Sequence, residues 1–150
     1  DDVTKGYWRM PEATSQAIKN GYIYTGDMAT VDEAGYIYMT GRKKDMIITG
    51  GKTVFPREIE EVIYRHPSVS EAAVIGMPSK ELGESVKAFV VSKRKMSATA
   101  EEITKFCRQN LTDYAVPQSV EFVNQLPRNP LGKVLRRVLR EEYSEQKKQD

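Results

Sequence analysis

Apolar positions fall in short, interrupted runs at the start of the chain and in longer, regularly spaced runs beyond it. Residues 1–20 are polar and irregular, with Pro11 following an aromatic pair at Tyr7 and Trp8, and a short helix is expected from Glu12 to Lys19. Tyr22-Ile23-Tyr24-Thr25 and Tyr36-Ile37-Tyr38-Met39-Thr40 are rich in β-formers. Asp32-Glu33-Ala34-Gly35 between them has turn chemistry, and Gly35 can take positive φ. The pattern predicts that the two runs pair as a hairpin. Gly41-Arg42-Lys43-Lys44-Asp45 is glycine-led and charged, a candidate boundary.

From residue 46 the signals strengthen. Met46 to Thr49 reads as a short strand, Gly50-Gly51 as a tight turn, and Thr53-Val54-Phe55 as the returning strand. Pro56 suits a first helical position, Ile59, Val62 and Ile63 follow at helical spacing, and Pro67 stops the helix. Ala72 to Gly76 is mostly apolar, as expected of a strand buried on both faces, and Val86 to Val91 is a second strand. Thr99 with Glu102 three residues on forms a capping-box signature, and Ile103, Phe106 and Leu111 mark the buried stripe of the helix it starts. Val120 to Val123 is a further strand, Pro127 to Gly132 a loop, and Val134 to Tyr143 a terminal helix whose charged end is expected to fray. The expected fold class is α+β: a small three-stranded sheet flanked by helices plus a two-stranded hairpin, preceded by another β-hairpin.

Composition narrows the function classes. Of 150 residues, 39% are hydrophobic and 29% charged, enough for a packed core and against a disordered chain. A net charge of +2 is too small to argue for a nucleic-acid footprint. Cys107 is the only cysteine, so no internal disulfide can form. No apolar run approaches the length of a membrane span. The chain opens on Asp1-Asp2 with no initiator Met and no apolar leader, so it is expected to be a piece of a longer protein.

Three stretches could carry chemistry. Tyr24-Thr25-Gly26-Asp27 places a glycine, which lets backbone approach a ligand, beside a carboxylate able to accept hydrogen bonds from hydroxyls. Gly41-Arg42-Lys43-Lys44-Asp45, with Gly50-Gly51 after it, offers a guanidinium suited to phosphate or ribose oxygens and a turn that leaves a narrow passage. Pro127-Arg128-Asn129-Pro130-Leu131-Gly132-Lys133 ends a constrained loop on a lysine, the point charge that a reaction developing negative charge on phosphate needs. Taken singly, each has a plainer reading: a strand ending in a turn, a charged linker with a tight hairpin, and a loop before a solvated basic helix bearing Arg136, Arg137 and Arg140.

In order, these stretches resemble the adenylate-forming (AMP-binding) superfamily, and specifically the C-terminal portion of an acyl-CoA synthetase or fatty-acid–CoA ligase. The matching text is Gly21 to Asp27, Gly35-Tyr36-Ile37, Gly41 to Gly51, Pro56-Arg57-Glu58-Ile59-Glu60 and Pro127 to Lys133. His66-Pro67, Gly83-Glu84 and the stretch Gly6-Tyr7-Trp8 with Pro11 to Thr14 also fit. Five motifs in order are far more specific than any one of them.

The resemblance implies two half-reactions. A carboxylic acid and ATP give an acyl-adenylate and pyrophosphate, and a thiol, usually CoA, then takes the acyl group and releases AMP. It implies Asp27 on the ATP ribose hydroxyls, Arg42 near ribose and phosphates, Lys44 as the hinge, Gly50 and Gly51 along the pantetheine tunnel for CoA, and Lys133 as the catalytic adenylation lysine. It also implies that residues 1–42 end a large ATP- and acyl-binding domain and that 43–150 form its mobile C-terminal domain. Mg2+, ATP and CoA are then expected for the full-length enzyme, and none bound to this piece, which is expected to be inactive alone. No protein metal site, nucleic-acid partner or transmembrane segment is expected. The partners are a small carboxylic acid, ATP, CoA and the N-terminal domain, in the cytoplasm, with any membrane association supplied by that other part. The hairpin at 22–40, without its barrel, is expected to be mobile or to pair with a second copy. Tyr114-Ala115-Val116-Pro117-Gln118 departs from the pattern, lacking the basic residues that meet CoA phosphates in some ligases. The alternative is an adenylation domain that loads a carrier protein; Gly50-Gly51 followed by Val54-Phe55-Pro56 looks more like the CoA ligases.

Overall fold

The computed structural model describes residues 4–146 and divides into two compact units, one ending at Lys44 and one beginning at Asp45.

In the first unit α1 (Pro11–Ala17) opens on a proline, whose missing N–H is no loss at a helix start. It ends two residues before the expected Lys19, because Ile18–Lys19 (β1) turns back to pair with Tyr22–Ile23 (β2). Asn20 and Gly21 make the turn with φ of 53° and 79°. Asn-Gly is the strongest short hairpin signal, since both central positions need positive φ. The expected pairing of 22–25 with 36–40 is therefore corrected. The strand opposite Ile37–Arg42 (β4) is Asp27–Val31 (β3), not the aromatic run before it. The turn between them does sit at Asp32. Its Oδ1 accepts the amides of Ala34 and Tyr36 at 3.0 and 2.9 Å, and its Oδ2 accepts the Tyr38 hydroxyl at 3.0 Å. The Tyr36 amide bond is the main cause that lowers the Asp32 pKa. Tyr22, Tyr24, Val31, Tyr36 and Ile37 lie 62–74% exposed, so this unit has little core of its own.

A 3-10 turn at Lys43–Asp45 leads to the second unit. There Ile47–Thr49 (β5) and Lys52–Val54 (β6) form a hairpin, and α2 (Pro56–Tyr64) starts on Pro56. Val69–Ser79 (β7) and Gly83–Ser92 (β8) form a long antiparallel ribbon. Thr99 and Glu102 make the expected reciprocal capping box at the head of α3 (Ala100–Asn110). Ser119–Phe122 (β9) then pairs parallel to β8, and α4 (Arg136–Gln146) closes the unit. The fraying expected at the end of that helix falls partly beyond Gln146, outside the described residues.

The fold class is α+β, as the sequence pattern predicts. The three-stranded sheet is β7-β8-β9, and the β5–β6 hairpin joins it through the single pair Thr49–Gly83. Because β7 occupies one edge of β8, β5 and β9 share the other edge. Alternation along the ribbon sends Val74, Val86, Ala88 and Val90 to one face, where Ile59, Ile63, Ile103 and Cys107 cover them. Ala73, Ile75, Met77 and Phe89 face the other side, under Leu126 and Leu139. Both faces are buried, which explains the near-continuous apolar run at 72–75. Cys107 belongs to the buried stripe of α3 that the pattern assigned to Ile103, Phe106 and Leu111.

Candidate functional site

The first unit brings two of the expected site residues together. Asp27 and Arg42 are directly opposite in the β3–β4 pair, and Arg42 Nε donates to Asp27 Oδ1 at 2.8 Å. Gly26, with φ of 76°, accepts the Lys43 amide at 2.8 Å and closes the end of the pair. Both charged side chains keep part of their surface open. The guanidinium orients the carboxylate, whose two oxygens have about four acceptor positions, so capacity for hydroxyl donors remains. Lys44 is exposed and is the last residue of this unit.

In the second unit Gly50 and Gly51 make the β5–β6 turn with φ of 55° and 74°. The Gly50 amide donates to the Leu82 carbonyl at 2.9 Å. A Cβ on Gly51 would meet no atom within 4 Å, and one on Gly50 only Leu82 Cδ2 at 3.7 Å. Glycine is required here by backbone conformation rather than by crowding inside the chain.

Lys133 lies in a small closed hairpin between β9 and α4. Arg128 and Val134 form an isolated bridge, and the Leu135 amide donates to the Pro127 carbonyl at 2.8 Å. Asn129 organises the tip. Its Oδ1 accepts the amides of Leu131 at 3.1 Å and Lys133 at 2.8 Å, its own amide donates to the Lys133 carbonyl at 3.0 Å, and its carbonyl accepts the Gly132 amide at 2.9 Å. Gly132 takes φ of 80°. Arg128 donates to the Gly132 carbonyl and to Glu71 at the start of β7. The backbone of Lys133 is thus held from both sides while its side chain stays exposed.

A second arginine anchors the other end of the hairpin. Arg136, in the first turn of α4, donates through Nη2 to both oxygens of Glu60 at 2.7 and 2.8 Å. Glu60, on α2 and only 9% exposed, also accepts the Val74 amide at 2.8 Å. Arg136 Nη1 lies 3.8 Å from Asp45. Sequence reasoning missed Asn129, Glu71 and the Glu60–Arg136–Asp45 cluster. The signal available was the pair of arginines flanking Lys133, and nothing local pointed to their partners.

Lys133 and Gly50-Gly51 are not brought together. The Lys133 hairpin is tied at Glu71, near the start of β7, whereas Gly50 bonds to Leu82, in the turn after β7 ends at Ser79. At about 3.3 Å per strand residue those two attachment points are roughly 25 Å apart, at opposite ends of the ribbon. Among the described residues no group of three or more His, Cys, Asp or Glu is placed to hold a metal ion. No helix among them is long and apolar enough to cross a membrane.

The second unit is thus a two-faced α+β unit with a glycine turn at one end of its ribbon and a lysine hairpin anchored at the other. The chain belongs to the family of AMP-binding enzyme C-terminal domains, whose model matches residues 58–133. It is similar to the long-chain-fatty-acid–CoA ligase of Escherichia coli O6:H1, 51% identical over 140 residues that make up 93% of this chain and 25% of that protein. The long-chain-fatty-acid–CoA ligase of Bacillus subtilis strain 168 is 47% identical over 143 residues, 95% of this chain and 26% of that protein. Among solved structures, ATP-bound MatB from Rhodopseudomonas palustris is similar with a TM-score of 0.86 and 44% identity, covering 93% of this chain and 28% of that one. The chain spans about a quarter of the length of the curated relatives it matches.

Proposed function

We propose that this chain is the C-terminal portion of an ATP-dependent acyl-CoA ligase and that Lys133 is its adenylation lysine. The observation that carries the reading is the Lys133 hairpin: its backbone is fixed by Asn129 and Arg128, and its ammonium is presented outward. An ammonium between a carboxylate and an α-phosphate offsets their repulsion most at the crowded transition state, so it lowers the barrier rather than merely binding substrate. Asp27, oriented by Arg42, accepts the ribose hydroxyls, and Arg42 lies toward the phosphates. Mg2+ accompanies the ATP phosphates. Gly50 and Gly51 line the pantetheine passage for CoA, where a side chain would narrow it.

Residues 1–42 end the large ATP- and acyl-binding domain, and 43–150 form the mobile C-terminal domain, with Lys44 as the hinge. The division into compact units after Lys44 supports a joint in this segment. The exposed apolar faces of β1 to β4 support a place for them within a larger domain. The separation of Lys133 from Gly50-Gly51 along the ribbon supports separate duties in the two half-reactions, adenylation at one end and thiol transfer at the other. The acid is a fatty acid by similarity to the ligases of Escherichia coli and Bacillus subtilis, and the enzyme works in the cytoplasm without a nucleic-acid partner.

The test is acid-dependent exchange of labelled pyrophosphate into ATP by the full-length protein, followed by CoA-dependent release of AMP. Both are expected with a long-chain fatty acid, while this chain alone supports neither. Exchange by this chain alone, or no exchange by the full-length protein with any carboxylic acid, would overturn the reading.

A further inference from the structure

Arg136 is an expensive way to attach a helix. The side chains of Arg136, Glu60 and Asp45 are only 21%, 12% and 18% exposed, so three charged groups are largely withdrawn from water. The Arg136 Nε–H is buried and has no acceptor among the described residues. Buried ion pairs are often replaced by apolar side chains of similar volume with no loss of stability, and an unpaired buried donor makes the comparison worse. Burial alone would be better served by a leucine or methionine. What an apolar side chain cannot do is fix direction. Glu60 is itself held by the Val74 amide in the middle of β7, so it is a rigid acceptor. Arg136 is bound to that acceptor three residues after Lys133, and it also reaches Asp45, the residue next to Lys44 at the junction of the two units.

We propose that Arg136 is a positioning residue for Lys133, a strut from Glu60 that fixes the head of α4, and with it the Lys133 hairpin, relative to the Asp45 segment. This rests on the reading of Lys133 as the adenylation lysine. The hairpin then has two tethers, Arg128 to Glu71 before the lysine and Arg136 to Glu60 after it. Releasing the second lets the ammonium wander from its reactive position, and a displacement of about 1 Å costs on the order of 100-fold in rate. Thiol transfer, which draws on the Gly50-Gly51 end of the ribbon, does not depend on that position.

The experiment measures both half-reactions on single preparations of the full-length protein: acid-dependent pyrophosphate exchange, and CoA-dependent release of AMP from preformed acyl-adenylate. Arg136→Met and Glu60→Gln are expected to lower kcat for exchange about 10- to 100-fold, with KM for ATP changed by less than about threefold and thiol transfer within about twofold. Arg136→Lys, which keeps one charge on Glu60 without the planar reach, restores part of the exchange rate. Unfolding of a fraction of the sample lowers both half-reactions equally, so the ratio of the two carries the result. An unchanged ratio in all three variants means that Arg136 only holds the fold, and overturns the inference. Lys133→Ala on the same assays separates the two levels. If it leaves exchange intact, the underlying reading fails; if it abolishes exchange while the Arg136 variants keep the ratio, only this inference fails.

Discussion

The side-chain oxygen of Asn129 accepts the backbone amide of Lys133 at 2.8 Å, and the Asn129 amide returns a bond to the Lys133 carbonyl at 3.0 Å. Residues four apart are thereby closed into a ring whose last member is the proposed reactive lysine. A flexible side chain on a fixed backbone loses less freedom on engaging its target than one on a mobile loop.

Replacing Asn129 tests that closure. Asn129→Ala removes two acceptor bonds, each worth about 1 kcal/mol, and frees the tip of the hairpin. Pyrophosphate exchange by the full-length protein is expected to fall roughly 10-fold or more, with thiol transfer preserved. Asn129→Asp keeps an acceptor at the same position and is expected to lose less.

The glycine turn gives an independent test at the other end of the ribbon. Gly51→Ala places a Cβ on a backbone with φ of 74° and should cost about 1 kcal/mol in thermal or denaturant unfolding. Gly51→Asn tolerates that conformation better, so its stability stays closer to the parent. It still adds a side chain to the proposed pantetheine passage. Thiol transfer is therefore expected to fall in the asparagine variant while exchange is kept. Equal transfer rates in parent and Gly51→Asn would remove Gly51 from the passage.

Gly76 answers to a different constraint. A Cβ there would sit 2.7 Å from Glu84 Oε1 and 3.1 Å from Ile47 Cγ2. The Glu84 carboxylate accepts the Ile48 amide at 2.7 Å, and this contact ties β8 to the strand that leads into the glycine turn. Gly76→Ala should push Glu84 off that amide and cost about 2 kcal/mol, read as a lowered denaturation midpoint. A midpoint equal to the parent's would show that Glu84 can give way freely.

Much of the second unit is legible from spacing alone, because its helices and strands each bury a periodic set of residues. Ile59, Val62 and Ile63 on α2 and the capping box at Thr99 and Glu102 are read from neighbours in sequence. Asn20-Gly21 is equally local and outweighs the aromatic run after it: a two-residue turn draws Tyr22–Ile23 back onto Ile18–Lys19, and the less β-rich Asp27–Val31 takes the place opposite β4. The tethers of the Lys133 hairpin are not local. Glu71 is 57 residues from Arg128 and Glu60 is 76 from Arg136. Glu60 sits within a helix where acidic residues usually face water, and nothing in its flanks marks it as buried. Asp27 and Arg42 are each visible as site candidates, but their direct pairing depends on the β3–β4 register.

Cys107 yields a pH prediction. Burial pushes its thiol pKa from 9.0 up to about 11. The unfolded chain releases this proton near pH 9 and the folded one only near 11, so the contribution is full below pH 9 and is lost as pH rises between the two values. Stability should decline over that window in the parent and decline less in Cys107→Ser or Cys107→Ala after correction for their own offsets. At about pH 8 the thiol should react with a disulfide reagent only on unfolding, since it is both buried and protonated. Rapid labelling of native protein would contradict this.

The most direct measurement is acid-dependent pyrophosphate exchange by the full-length protein carrying Lys133→Ala, set beside thiol transfer from preformed acyl-adenylate. Loss of exchange by about 100-fold or more, with KM for ATP little changed and thiol transfer retained, is the expected result. Exchange at the parent rate would contradict the assignment of Lys133, and with it the catalytic role of the hairpin that Asn129, Arg128 and Arg136 hold.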